Sequence, residues 1–261
     1  MPAIDLNKLR NQSSSLALKF DKPDEFIKYF MGLLDLYHNH TLRNRAGNPG
    51  NGYSKYSAPR SVLRQIENDM QDIGQNHPVQ IEILVNSLWD ASFRESQLLA
   101  AYLLGTMPPM QALRLFSKLP DWLYQANDPA VKEALLNTSL TRMRNEYPAA
   151  MIRLISEWLT SPGQKTNSWG LHALMLLIQH LGFDDLPKVF EILRPVVAKV
   201  DTGSFSELQG CINSLYSLSP IETAHFLSQL LTENEDKGFK QHFSRLKRGF
   251  SPLLQKDLVV S

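Results

Sequence analysis

The stretch from Leu88 to Gly105 constrains the fold most: it reads as the end of one helix, a tight turn and a whole second helix. Ser92 is placed to cap the second helix, its hydroxyl accepting a backbone N–H of the first turn. Glu95, three residues on, is placed to complete a capping box. Leu98, Leu99, Tyr102 and Leu103 then form an apolar stripe at helical spacing, and Gly105 is expected in the left-handed conformation that ends a helix. One such hairpin cannot bury its own apolar face, so it requires stacked neighbours.

The rest of the chain supplies them. Ile4 to Leu18 reads as an amphipathic helix. A second begins at Lys22-Pro23-Asp24, where proline costs nothing because its missing N–H has no partner in a first turn. Residues 41–58 break the pattern. Asn44, Gly47, Asn48, Pro49, Gly50, Asn51 and Gly52 make a long loop that also carries Arg43, Arg45 and Lys55. Beyond it, helices are expected near 59–73, 79–88, 92–104, 109–118, 129–145, 148–160, 168–181, 187–199, 204–217, 220–232 and 236–248, with no strand-like alternation. Helix-opening prolines at Pro109, Pro148, Pro187 and Pro220 recur in steps of 39, 39 and 33. Partner helices opening at Ser92, Asp128, Ser168 and Ser204 recur in steps of 36, 40 and 36. Two helices per period of this size are the pattern of HEAT or armadillo-type solenoids. The fold expected is therefore all-α, a superhelix of helical hairpin repeats forming a single domain over residues 1–261. N-terminal helices occupy 1–40, the basic loop 41–58 and the repeats 59–250.

Composition narrows the function. The net charge of +1 argues against polyanion binding driven by total charge, while leaving room for a local basic face. The single cysteine, Cys211, precludes an internal disulfide and a cysteine-based zinc site, and reads as a small buried apolar residue. Asp5, Lys8 and Arg10 interrupt the first apolar segment, so a signal peptide is not expected, and Ala173 to Ile178 is too short to span a bilayer. A cytoplasmic protein without membrane association is the expectation.

Two stretches together carry a family resemblance. Tyr56-Ser57-Ala58-Pro59-Arg60-Ser61-Val62-Leu63-Arg64-Gln65-Ile66 resembles the helix entry of the DNA alkylation repair family of HEAT-like glycosylases. Leu88, Trp89, Ser92, Glu95 and Ala100 fall as in that family's Leu-Trp-x-Ser…Glu…Ala pattern. A third likeness is Glu157-Trp158-Leu159 with Ser168-Trp169-Gly170-Leu171-His172-Ala173. The resemblance implies the scaffold and, with it, duplex DNA as a partner. In the family a Trp-x-x-x-Asp motif supplies the catalytic carboxylate. Here the four-residue step from Trp122 lands on Ala126, and Asp128 stands two residues further on, just before Pro129. The family also places an arginine two or three residues after a later tryptophan, and here those positions hold Leu171 and His172 instead.

Asp128 and His172 are therefore the candidate catalytic residues, with the bland alternatives of an N-cap and a half-buried core histidine. The candidate nucleic-acid contacts are Arg43, Arg45, Lys55, Arg60 and Arg64, which are cations for phosphates, and Trp122 and Trp169, which are placed at turns where they could stack on bases. Further basic groups are Arg142 with Arg144, and Lys237, Lys240, Arg245, Lys247 and Arg248, the last set tempered by the acidic neighbours Glu233, Glu235 and Asp236. His38 and His40 lack a third ligand, and the Gly47 to Gly52 loop lacks the Gly-Lys-Ser/Thr of a phosphate-binding loop, so neither a metal nor another cofactor is expected. Three readings follow. The first is a DNA-binding protein related to alkylpurine glycosylases, with catalysis reduced or absent, gripping duplex backbone by a concave basic and aromatic face. The second is a scaffold holding a protein or peptide in that groove. The third is an active glycosylase with altered acids such as Asp90 or Asp128.

Overall fold

The structure is a computed structural model and describes residues 5–38, 58–161, 163–181, 183–199 and 204–260. Every regular element among the described residues is a helix, in agreement with the all-α expectation. The chain divides into two compact units, Met1–Met143 and Arg144–Ser261.

In the first unit, α1 (Leu6–Ala17), α3 (Arg60–Asn76) and α5 (Arg94–Thr106) stack side by side. The stack continues through α8 (Pro129–Glu133) and a π-helical turn over Ala134–Thr138. A second layer holds α2 (Pro23–Leu36), α4 (Pro78–Asp90) and α7 (Leu119–Gln125), with the short α6 (Leu113–Phe116) between layers in sequence. The α4–α5 hairpin is the tightest packed pair of this unit, as its sequence implies. Phe26, Phe30, Ile66, Leu84, Leu88 and Leu99 are fully buried between the layers. Burying each such side chain is worth about 1.5–3 kcal/mol, which is the force holding the pairs together.

The hairpin is closed differently from the sequence expectation. Ser92 lies outside the helix with a positive φ of 57°, and Phe93 is the residue before the first helical turn. The Ser92 hydroxyl donates to the carbonyl of Asp90 (3.0 Å) instead of capping. Glu95 does not reach back to form a box; its side chain is buried. Nor does Gly105 end the helix. It lies within α5, where a Cβ would sit 2.1 Å from the carbonyl oxygen of Thr138. Glycine is needed there for close approach, because the π turn presses its backbone against α5.

The same contact explains why the helix expected over 129–145 is broken. Ser139 donates its N–H to Ala134 O at 2.9 Å, five residues back, which widens the turn before α9 (Thr141–Glu146) begins. The helix expected over 109–118 shrinks to α6, because Met107 is held extended before Pro108 and residues 108–112 form turns closed on the Pro108 carbonyl. Helix α7, which contains Trp122, was not anticipated.

The second unit continues with α10 (Pro148–Thr160), α11 (Gln164–Ile178), α12 (Leu186–Lys199), α13 (Phe205–Leu218), α14 (Pro220–Glu233), α15 (Lys237–Lys247) and α16 (Pro252–Val260). Helix α11 packs on α10 and α13, and α14 packs on α13 and α16. Ser168 lies inside α11 instead of opening it, and its hydroxyl donates to Glu207 of α13 at 2.7 Å. Cys211 is buried, as expected, and its thiol donates to the Leu171 carbonyl at 2.9 Å. Gly170 lets α11 close on Leu159 and Trp158 of α10.

Candidate functional site

The first unit carries a groove of about 430 Å³ between α3, α5, α8 and the π turn. Arg60, Arg64 and Glu67 reach it from α3 at positions i, i+4 and i+7, one face of the helix. The opposite face, with Val62, Ile66 and Met70, is buried and fixes the rotation of the helix. Arg94, Leu98 and Tyr102 line the groove from α5 at the same kind of spacing, and Glu133 and Asn137 close it.

The charges are arranged unevenly. Arg60 and Arg64 are exposed, and among the described residues neither guanidinium makes an ion pair. Arg94 does: its Nε stands 3.1 Å from Oδ2 of Asp128. The other oxygen of Asp128 accepts the backbone N–H groups of Ala130 (2.7 Å) and Val131 (3.4 Å), so Asp128 is the N-cap of α8 that its place before Pro129 implied. Burial pushes the Glu67 carboxyl up from its ordinary range, against the opposing pull of Arg60 and Arg64. Burial, with the nearby charges of Glu67 and Asp72, also pushes the Tyr102 phenol up to about 12, so it stays a neutral hydrogen-bonding group at physiological pH.

The sequence candidates are therefore separated. Arg60 and Arg64 lie together on the groove. Arg43, Arg45 and Lys55 lie outside the described residues, as does His40. Trp122, expected at a surface turn, is 5% exposed inside α7. Its ring stacks on Trp89 with centroids 4.6 Å apart and planes 13° from parallel, and Gln125 accepts the Trp89 indole N–H at 3.1 Å. That pair joins α4 to α7 as core and offers no face to a base. Trp169 and His172 are half-buried, one turn apart on α11 in the second unit. Asp90 is exposed at the end of α4. Among the described residues no group of His, Cys, Asp or Glu is disposed to hold a metal ion.

Sequence reasoning missed Arg94, Glu67 and Tyr102. A signal existed for the first and last, since Arg94, Leu98 and Tyr102 repeat every four residues along α5. The pairing of Arg94 with Asp128, 34 positions away, carried none.

A comparison with protein families matches residues 56–241 to the family described as DNA alkylation repair enzyme. The chain belongs to that family. A search of curated proteins finds no match. The family match begins at Tyr56, takes in the groove helices α3 and α5, and ends at Gln241 within α15. Membership ties the chain to DNA repair and points to DNA as its partner. No helix among the described residues is long and apolar enough to cross a membrane.

Proposed function

We propose that this family member binds the phosphate backbone of duplex DNA through the first unit's groove, with base-excision catalysis reduced or absent. The observation that carries the binding half is the pair Arg60 and Arg64. They are exposed one turn apart on α3, make no ion pair among the described residues, and stand over a groove lined by Tyr102 and Asn137. Guanidinium groups so placed meet phosphate oxygens as bidentate donors, while the tyrosine hydroxyl and the amide supply neutral hydrogen bonds. Arg43, Arg45 and Lys55, the other cations that the sequence proposes for DNA, lie outside the described residues.

The catalytic half rests on what is already engaged. Cleaving a glycosidic bond needs a carboxylate beside a developing sugar cation and a cation or aromatic group against the nucleic acid. Asp128 is committed to two backbone amides and to Arg94, and Ala126 occupies the position that the resemblance assigns to the acid. Trp122 is shut under Trp89. His172, half-buried on α11, and Asp90, exposed at the end of α4, are the remaining candidates.

Two assays on the full chain test this. Arg60→Gln with Arg64→Gln should weaken duplex binding about tenfold or more at moderate salt, with the helical content unchanged. Release of alkylated base from a damaged duplex should stay at the uncatalysed level. Turnover that vanishes in Asp128→Asn or Glu67→Gln would replace this reading with an active glycosylase using altered acids. Unchanged affinity in the double arginine variant would remove the groove as the interface.

A further inference from the structure

Helix α15 presents a second cationic surface, separate from the groove residues. Phe239, Phe243 and Leu246 of α15 are buried, with Phe250 just beyond it. At 100° per residue, Lys237, Lys240, Arg245, Lys247 and Arg248 all fall within an arc of about 160° on the opposite side. Four of these five are exposed and Lys247 is half-buried. No Asp or Glu lies between Lys237 and Arg248, and none of the five makes an ion pair among the described residues. The run covers about 16 Å of helix axis at 1.5 Å per residue.

The acidic residues just before α15, which on sequence grounds would neutralise this patch, are mostly occupied elsewhere. Glu233 is bound by Arg194 and by the Gln229 amide. Asp236 accepts the Phe239 backbone N–H at 2.8 Å as the helix cap. All three acidic residues are exposed, and Glu235 alone makes no hydrogen bond or ion pair among the described residues. The far end is anchored by α13, whose Gln209 and Asn213 amides donate to the carbonyls of Leu246 and Gly249, each at 3.0 Å. The cations therefore sit on a fixed ridge.

We infer that the outer face of α15 is an accessory contact for the phosphate backbone of duplex DNA. This rests on duplex DNA being the protein's partner. Charge complementarity selects a polyanion. The face exposes only Lys, Arg, Gln, Ser, His and Gly, so neither an acyl chain nor an apolar peptide has a surface to bury. Arg245, Lys247 and Arg248 lie beyond the residues matched to the family, while Lys237 and Lys240 fall within them. Contacts made by scattered lysines and arginines on one face position a duplex without reading its sequence.

The test uses the full chain with a Lys240→Gln, Arg245→Gln, Arg248→Gln triple variant, the Arg60→Gln, Arg64→Gln variant, and a short undamaged duplex across a salt series. Each cation that no longer neutralises a phosphate lowers the slope of log affinity against log salt by about 0.9. The triple variant should therefore show a slope smaller by roughly two to three units and bind at least tenfold more weakly at low salt. Circular dichroism checks that the helices are retained. An unchanged slope and affinity in the triple variant overturns the inference, even where the groove variant is weakened. The reverse pattern supports α15 and overturns the groove. A wild type that binds anionic vesicles but not duplex DNA overturns both.

Discussion

Arg94 of α5 reaches Asp128 at 3.1 Å, and that ion pair decides what the most suggestive carboxylate in the chain does. Asp128 shares a helix start with Pro129, as a capping residue should, and its second oxygen is taken by Ala130 and Val131. Both partners are partly exposed, so the pair itself contributes little, and the cap is the larger effect.

Asp128→Ala should therefore lower stability by about 1–2 kcal/mol, the range for removing a cap. Asp128→Asn, which keeps the acceptor for α8, should cost less than half as much. Urea unfolding midpoints check this. Equal destabilisation in the two variants would show that the ion pair outweighs the cap.

Gly105 and Gly32 separate backbone approach from helix propensity. Gly105→Ala would place a Cβ 2.1 Å from Thr138 O, so α5 and the π turn must part, at a cost on the order of 3 kcal/mol. Gly32, inside α2, has nothing within 4 Å of the same atom, so Gly32→Ala should stabilise by about 0.5–1 kcal/mol. Thermal melts of the two variants should move in opposite directions.

Much of the architecture was legible in the sequence because apolar spacing and helix-opening prolines act locally. Pro148, Pro187 and Pro220 all fall at the first or second position of their helices, and Asp128 caps as its neighbours imply. The reading failed where a distant backbone intervened. Gly105 carries the signature of a helix end, but the pressure of Thr138 is what requires it. Ser92 and Glu95 have capping-box spacing, yet the chain turns through a positive φ at Ser92 and leaves the Glu95 carboxyl buried. Trp122 looked like a turn residue because the eight residues before Asp128 contain proline and polar groups. Its stacking on Trp89, 33 positions earlier, has no local trace. At the site, Arg60 and Arg64 were legible as a helical i, i+4 pair. The rest of the groove required knowing which helices stack.

The buried Glu95 gives a pH test. Neither carboxylate oxygen makes a well-aligned hydrogen bond, and although the amides of Glu95 and Ala58 and the Arg94 charge favour ionisation, burial outweighs them and raises its pKa. A carboxyl whose folded pKa lies above its unfolded value costs nothing when both states are protonated. It destabilises progressively as pH rises from the unfolded value toward the folded one. Glu95→Gln should match the wild type near pH 4 and become the more stable protein as pH rises toward neutrality, measured by urea denaturation at several pH values. A constant difference at every pH would show that the charge is not what burial penalises.

Cys211 should be inert in the folded protein. It is fully buried, and burial pushes its thiol far above the ordinary range. Labelling by a thiol reagent at neutral pH should be slow and should accelerate in step with unfolding as urea is raised. Fast labelling without urea would mean that α11 and α13 separate locally.

The central claim, that an exposed arginine pair on a repair-family scaffold grips DNA backbone, is tested most directly by fluorescence anisotropy of the wild type with a short duplex, intact and carrying an abasic-site analogue, from low to moderate salt. Micromolar or tighter binding to both duplexes, falling steeply and linearly on a log–log salt plot, is the expected result. No binding to either duplex at low salt would contradict the account and direct the search to protein partners.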